Sequence, residues 1–217
     1  MQKLGIVHTV SQLAPMFADL AAELLPEVQT IVIADELLLK QAVRDGAVDD
    51  VTRERLRGHV AALADFGVDA VLVTCSSVGA EVDEIASGTN IPVHRVDRAM
   101  AERAVELGST IGVLATLPTT LVPTTELVAA AAHDAGRTGV EVVSRLCDGA
   151  FAVLQRGDRA RHDAIIAEEL DRLAAAVDVV VLAQASMARI AAARSTGGTR
   201  VLSSPRLAME RVAYMGR

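Results

Sequence analysis

The feature that most constrains this chain is a phrase written twice. "VDAVLVTCSSVG" (68–79) returns half a chain later as "VDVVVLAQASMA" (177–188). In register, Val68-Asp69 matches Val177-Asp178, Ser77 matches Ser186, and Cys75 falls on Gln184. The neighbouring phrases repeat in the same order. "KLGIVHTV" (3–10) pairs with "TIGVLATL" (110–117), placing Gly5 on Gly112 and Thr9 on Thr116. "TIVIA" (30–34) pairs with "GVEVVS" (139–144), and "IPVHRV" (91–96) with "TRVLSS" (199–204). Internal repetition on this scale predicts one supersecondary plan built twice.

Each repeated phrase is a short β-branched run, and helical periodicity separates most of them. The clearest amphipathic helices are "DVTRERLRGHVAALADFG" (50–67) and "RARHDAIIAEELDRLAAAV" (159–177). Nearly continuous apolar strands that alternate with helices predict parallel sheets covered on both faces. The fold class expected is therefore α/β: two pseudo-symmetric lobes, each a four-stranded parallel sheet flanked by helices, with the active site in the cleft between them. The first lobe is expected over residues 1–97 and the second over 98–203, with "RAMAERAVELGS" (98–109) as the connecting helix. The last stretch, 204–217, reads as a helix capped by Ser204 with Pro205 at its first position, returning to the first lobe. One larger sheet is the competing arrangement.

Composition removes several function classes. Aromatic residues are 2% of the chain, with no Trp, so there is no stacking platform for bases. The net charge is −7 and the arginines are scattered, which argues against a nucleic-acid partner. Two cysteines give neither a disulfide framework nor metal-ligand spacing, so no metal is expected. The first residues lack the apolar stretch of a signal peptide, and no apolar run is long enough for a bilayer. A soluble cytoplasmic protein with no membrane partner is expected.

Parallel sheets carry their chemistry just past the carboxyl ends of the strands. That rule selects His8, Thr9, Val10, Ser11, Asp35, Thr74, Cys75, Ser76 and Ser77 from the first half. From the second it selects Thr116, Pro118, Thr119, Thr120, Gln184, Ala185, Ser186 and Met187. A free cysteine is most often a small buried hydrophobe. Cys75, however, leaves a strand among three hydroxyls, with "GAEVDEIAS" poised to start a helix just beyond it. A helix start stabilises a thiolate, so its pKa is expected to fall from about 8.5 toward neutrality. Cys147 has no such company and reads as structural. His8 is the one histidine of five placed at a strand exit, and with an ordinary pKa it would be a competent acid or base. Asp35 reads as a helix N-cap, His94 as core, and His59, His133 and His162 as solvated. A P-loop is excluded because "GSTIGVLATLPTT" lacks the lysine, and no G-x-S-x-G elbow occurs.

"LVTCSSVG", the glycine-bearing strands "LGIVHT" and "IGVLATLPTT", and the final "VLSSPRLAMERV" together resemble the aspartate/glutamate/hydantoin racemase superfamily across essentially the whole chain. The resemblance implies two α/β lobes around one active site and catalysis without metal or pyridoxal cofactor. It implies two cysteines flanking the substrate's α-carbon, with hydroxyls and amides beside each to hold a carboxylate. Carried over by position, Cys75 is the first-lobe cysteine and Thr74, Ser76 and Ser77 are its anion-holding neighbours; Thr9, at the exit of the first strand, is a further expected substrate contact. Thr116, Thr119 and Thr120 match the second-lobe loop that grips the substrate, and Ser186, in register with Ser77, is expected to donate to an anion. The departure is Gln184, which stands where the second cysteine belongs and cannot exchange a proton at ordinary pH.

The expected function is thus a cofactor-independent, racemase-like isomerase acting next to the carboxylate or carbonyl of a small acid, with Cys75, His8 and Gln184 at the reacting centre. The alternatives are a one-thiol decarboxylase or other lyase, and a carboxylate-binding protein without turnover. The family's habit of forming dimers makes a homodimer or higher homo-oligomer the expected assembly.

Overall fold

The computed structural model describes residues 1–193 and 198–216. Its strands form two four-stranded parallel sheets, as the repeat predicts. In the first, β1 (Lys3–His8), β2 (Gln29–Ala34), β3 (Ala70–Val73) and β4 (Val93–Arg95) lie in the order β2-β1-β3-β4. The connecting helices are α1 (Ala14–Leu24), α2 (Glu36–Asp45), α3 (Asp50–Phe66) and α4 (Gly79–Ser87). After α5 (Arg98–Leu107) the plan repeats: β5 (Thr110–Ala115), α6 (Pro118–Asp134), β6 (Glu141–Leu146), α7 (Ala150–Gln155), α8 (Arg159–Ala174), β7 (Val179–Leu182), α9 (Ala188–Ala193) and β8 (Arg200–Ser203). Its sheet order, β6-β5-β7-β8, copies the first. The chain divides into two compact units, Met1–Arg98 with the stretch from Pro205 onward, and Ala99–Ser204.

Matched residues do matched physical work in both units. The Asp69 carboxylate accepts the N–H of Lys3 at 2.8 Å, and the Asp178 carboxylate accepts that of Thr110 at 2.9 Å. Each aspartate thereby ties the start of the third strand to the start of the first. Gly5 and Gly112 are both needed for close helix approach. A Cβ on Gly5 would stand 3.0 Å from Leu63 of α3, and one on Gly112 would stand 2.8 Å from Leu173 of α8. The central strands β3 and β7 are buried at every position, whereas the edge strands β2 and β6 are partly exposed. Asp35, Asp49 and Asp158 cap α2, α3 and α8 by accepting backbone N–H groups, which fixes where these helices begin. Among the described residues no helix is long and apolar enough to cross a membrane.

α10 (Ser204–Met215) belongs to the first unit, where Arg206 forms a two-pronged ion pair with Glu23 at 2.8 and 2.7 Å. Arg217, the last residue of the expected helix, lies outside the described residues. Four readings are corrected here. The Ser204 hydroxyl is buried without a hydrogen-bond partner, so it makes no cap. His162 is not solvated but 1% exposed, because it lies on the inner side of α8 against the sheet, where its ring meets Asp163. His94 is half-buried rather than core, and His59 is half-buried against Asp35.

Candidate active site

In the first unit the strand register, carried two residues past the β1–β3 pairing of Val7 with Val73, sets Thr9 beside Cys75. Cys75 keeps an extended backbone and starts a short 3₁₀ turn, Ser76–Val78, that leads into α4. That turn aims the N–H groups of Ser77 and Val78 at the thiol, and the Thr9 and Ser77 hydroxyls join them. The expected lowering of the thiol pKa is nevertheless overturned. Burial pushes the Cys75 thiol up, and the four donors offset this only in part. Cys75 packs in the core cluster of Val7, Val71 and Val73, where a bare thiolate loses its hydration. Cys147 is fully buried and pushed up to about 12 by burial and the nearby Glu169 and Asp148 charges.

Thr74 and His8 form a separate pair. The Thr74 hydroxyl lies 2.8 Å from His8 Nδ1 and 3.2 Å from the Val7 carbonyl oxygen. The other ring nitrogen, Nε2, is buried and without a hydrogen-bond partner. Alternation along the strands turns His8 and Thr74 toward Phe17 of α1, and Thr9 and Cys75 toward the opposite face. No hydrogen bond joins His8 to Cys75 among the described residues. The expectation that His8 has an ordinary pKa is also corrected, since burial lowers it from 6.5 to about 4.

A stability consequence follows. Below pH 6.5 the unfolded chain binds a proton that folded His8 refuses until about pH 4, so folding is favoured above this window and loses that support as pH falls through it. The full contribution is about 3 kcal/mol. His8→Gln is expected to flatten the urea-denaturation stability profile between pH 6.5 and 4, and an unchanged slope would assign that pH dependence to other groups.

The second unit repeats the register: β5–β7 pairing of Leu114 with Leu182 sets Thr116 beside Gln184. The Thr116 N–H and hydroxyl both donate to Gln184 Oε1, at 2.6 and 2.9 Å. Thr116 thus holds a side chain of its own unit in the way that Thr9 holds Cys75. Thr119, in the first turn of α6, has a buried hydroxyl with no partner, and Thr120 is buried. Ser186 is half-buried, and its carbonyl accepts Arg189 Nη1 at 2.6 Å. In the first unit, Ser76 Oγ is likewise buried without a partner.

Sequence reading missed Arg95. Its guanidinium grips the fully buried Asp97 at 2.7 and 3.1 Å and Asp83 at 2.7 Å. It also lies directly over the start of α4, where a Cβ on Gly79 would stand 2.3 Å from Nη2. The signal was two charged residues, Arg95 and Asp97, alternating at the end of an apolar strand. Among the described residues no three His, Cys, Asp or Glu side chains converge to hold a metal ion.

A family profile described as Asp/Glu/Hydantoin racemase matches residues 7–212. No curated protein sequence matches the chain. Solved structures of similar fold include the glutamate racemase of Francisella tularensis subsp. tularensis SCHU S4 in complex with D-glutamate. It has a TM-score of 0.77 and 17% identity over 99% of this chain and 80% of that one. A putative Asp/Glu racemase of Yersinia pestis gives a TM-score of 0.74 at 13% identity, over 99% of both chains. Allantoin racemase of Klebsiella pneumoniae gives 0.72 at 14% identity, over 100% of this chain and 88% of that one.

Proposed function

This chain belongs to the Asp/Glu/hydantoin racemase family and is an isomerase of that superfamily, and on that premise we propose that it works next to the carboxylate or carbonyl of a small acid with Cys75 as its single thiol. The observation that carries the reading is the set of donors on Cys75 Sγ: the Thr9 and Ser77 hydroxyls and the Ser77 and Val78 N–H groups. Because burial pushes its pKa up, the thiol rests protonated. Once its proton has been delivered to a carbanionic substrate carbon, the four donors stabilise the thiolate left behind. The reverse step, in which thiolate removes a proton, uses the same donors.

Gln184, matched to Cys75 by the repeat, decides how many thiols the reaction can use. A neutral amide neither gives nor takes a proton at useful rates, so the partner station of a two-thiol racemisation is missing. Proton transfer then belongs to one face of the reacting carbon. The raised pKa of Cys75 also favours a second reading, a lyase. In that reaction carbon dioxide leaves a malonate-type acid, the enediolate takes the Cys75 proton, and water reprotonates the thiolate. A thiol that rests protonated needs no prior activation for this.

The test is incubation of the protein in deuterated water with aspartate, glutamate, hydantoins and substituted malonates, followed by proton NMR and chiral chromatography. D-glutamate, bound in the Francisella structure, places amino dicarboxylates first among the probes. We expect α-deuteration or decarboxylation with one stereochemical outcome. Efficient interconversion of aspartate or glutamate enantiomers would overturn the one-thiol reading, and inertness toward the whole panel would overturn the small-acid assignment.

A further inference from the structure

We propose that Gln184 is an oriented hydrogen-bond donor for a carboxylate or carbonyl oxygen of the substrate, so that the second unit binds where a thiol would have reacted. The inference rests on reading the protein as an enzyme of small acids.

The orientation of the amide follows from chemistry rather than from assignment. The backbone N–H of Thr116 can only donate, so the Gln184 atom 2.6 Å from it must be the oxygen. The Thr116 hydroxyl donates to the same oxygen at 2.9 Å. With Oε1 held by two donors, the planar carboxamide cannot flip without losing both bonds. Nε2 then carries two N–H groups that make no hydrogen bond among the described residues, on a side chain that is neither sealed in the core nor fully in water. Such a group is placed to donate to an acceptor oxygen that replaces water there.

The comparison with the first unit says what has changed. Thr9 directs its hydroxyl to a sulfur that carries a transferable proton, and Thr116 directs its own to an oxygen that carries none. The donors that would steady a thiolate here instead fix the direction of an amide. The unpartnered Thr119 hydroxyl, three residues from Thr116, is a second donor of the same neutral kind. Arg189, the nearest cation along the chain, is already paired with Asp163 and with the Ser186 carbonyl. The groups at this exit are neutral, and Gln184 Nε2, which can only donate, suits an acceptor oxygen.

The experiment uses the full chain labelled with nitrogen-15. The Gln184 side-chain resonances are assigned by their loss in Gln184→Met, and malonate, succinate, D- and L-aspartate and hydantoin are then titrated in. At least one of these probes is expected to shift the Gln184 N–H pair. Gln184→Met is expected to weaken that probe's binding on the order of tenfold, and Thr116→Val, which removes one of the two bonds to Oε1 and leaves the backbone N–H bond in place, to weaken it less. A probe that moves the Ser77 and Val78 N–H signals but leaves the Gln184 side chain unmoved would overturn this proposal while sparing the Cys75 reading. Probes that move neither set would overturn both. Should Gln184→Met fail to fold, Gln184→Leu supplies the assignment, and the wild-type titration decides the matter: a Gln184 N–H pair that no binding probe shifts overturns the proposal.

Discussion

Cys75→Ser is expected to slow proton exchange or decarboxylation of any acid turned over by the wild-type protein by about a hundred- to ten-thousandfold, the range for losing a positioned general acid or base. The substitution changes one atom at a site that is 8% exposed and makes backbone and hydroxyl hydrogen bonds that serine can also accept, so the fold should survive. What is lost is acidity. A serine hydroxyl gives up its proton far less readily than a thiol, and the four donors around it cannot close that gap. Cys147→Ser, in a side chain fully buried in the second unit, is the control and should leave turnover unchanged if the protein folds. The measurement is the rate of deuterium incorporation at saturating acid, with circular dichroism to confirm folding. Wild-type turnover in Cys75→Ser would remove the thiol from the reaction.

Asp97→Ala is expected to be the most damaging substitution for stability. Arg95 is a cation whose side chain is 5% exposed, and Asp97, at 0%, is the partner that neutralises it inside the protein. Asp83, the other carboxylate on Arg95, is 43% exposed and compensates weakly. Removing one member of such a buried pair leaves an uncompensated charge and costs about 3–5 kcal/mol, a large part of the roughly 5–15 kcal/mol that holds a domain folded. A chain of this size should lose on the order of 10 °C in Tm. The double variant Arg95→Met, Asp97→Ala should recover part of the loss, because it removes the stranded charge along with its partner. Thermal unfolding of the three proteins checks this, and a single variant within about 1 kcal/mol of wild type would show that the pair does not hold this part of the fold. Because Arg95 lies over Gly79 at the start of α4, the same loss should loosen the turn that carries the donors to Cys75.

The repeat made the two parallel sheets and their matching strand order legible in advance, since strand and helix follow from apolar periodicity, and parallel pairing follows from their alternation. Cys75, Gln184, Thr9 and Thr116 were legible as strand-exit residues for the same reason: the exit of a parallel strand is a sequence position. Gly5 and Gly112 stood in register before Leu63 and Leu173 showed what they make room for.

What each exit side chain does was decided only by tertiary structure. Thr74 and Thr9 are both hydroxyls at adjoining exits, yet strand alternation turns one to His8 and the other to Cys75. Burial reversed the expected pKa direction of Cys75 and took His8 to about 4, because desolvation depends on every element packed around a group and on nothing local in the chain. The Arg95–Asp97–Asp83 cluster joins β4, the stretch after it and α4, and Gln184 is pinned by a residue from another strand. Sequence by itself determined which residues reach the ends of the strands. Three-dimensional packing determined which way they face and which partners they meet, and it determined their protonation, because those depend on long-range contacts that no local pattern encodes.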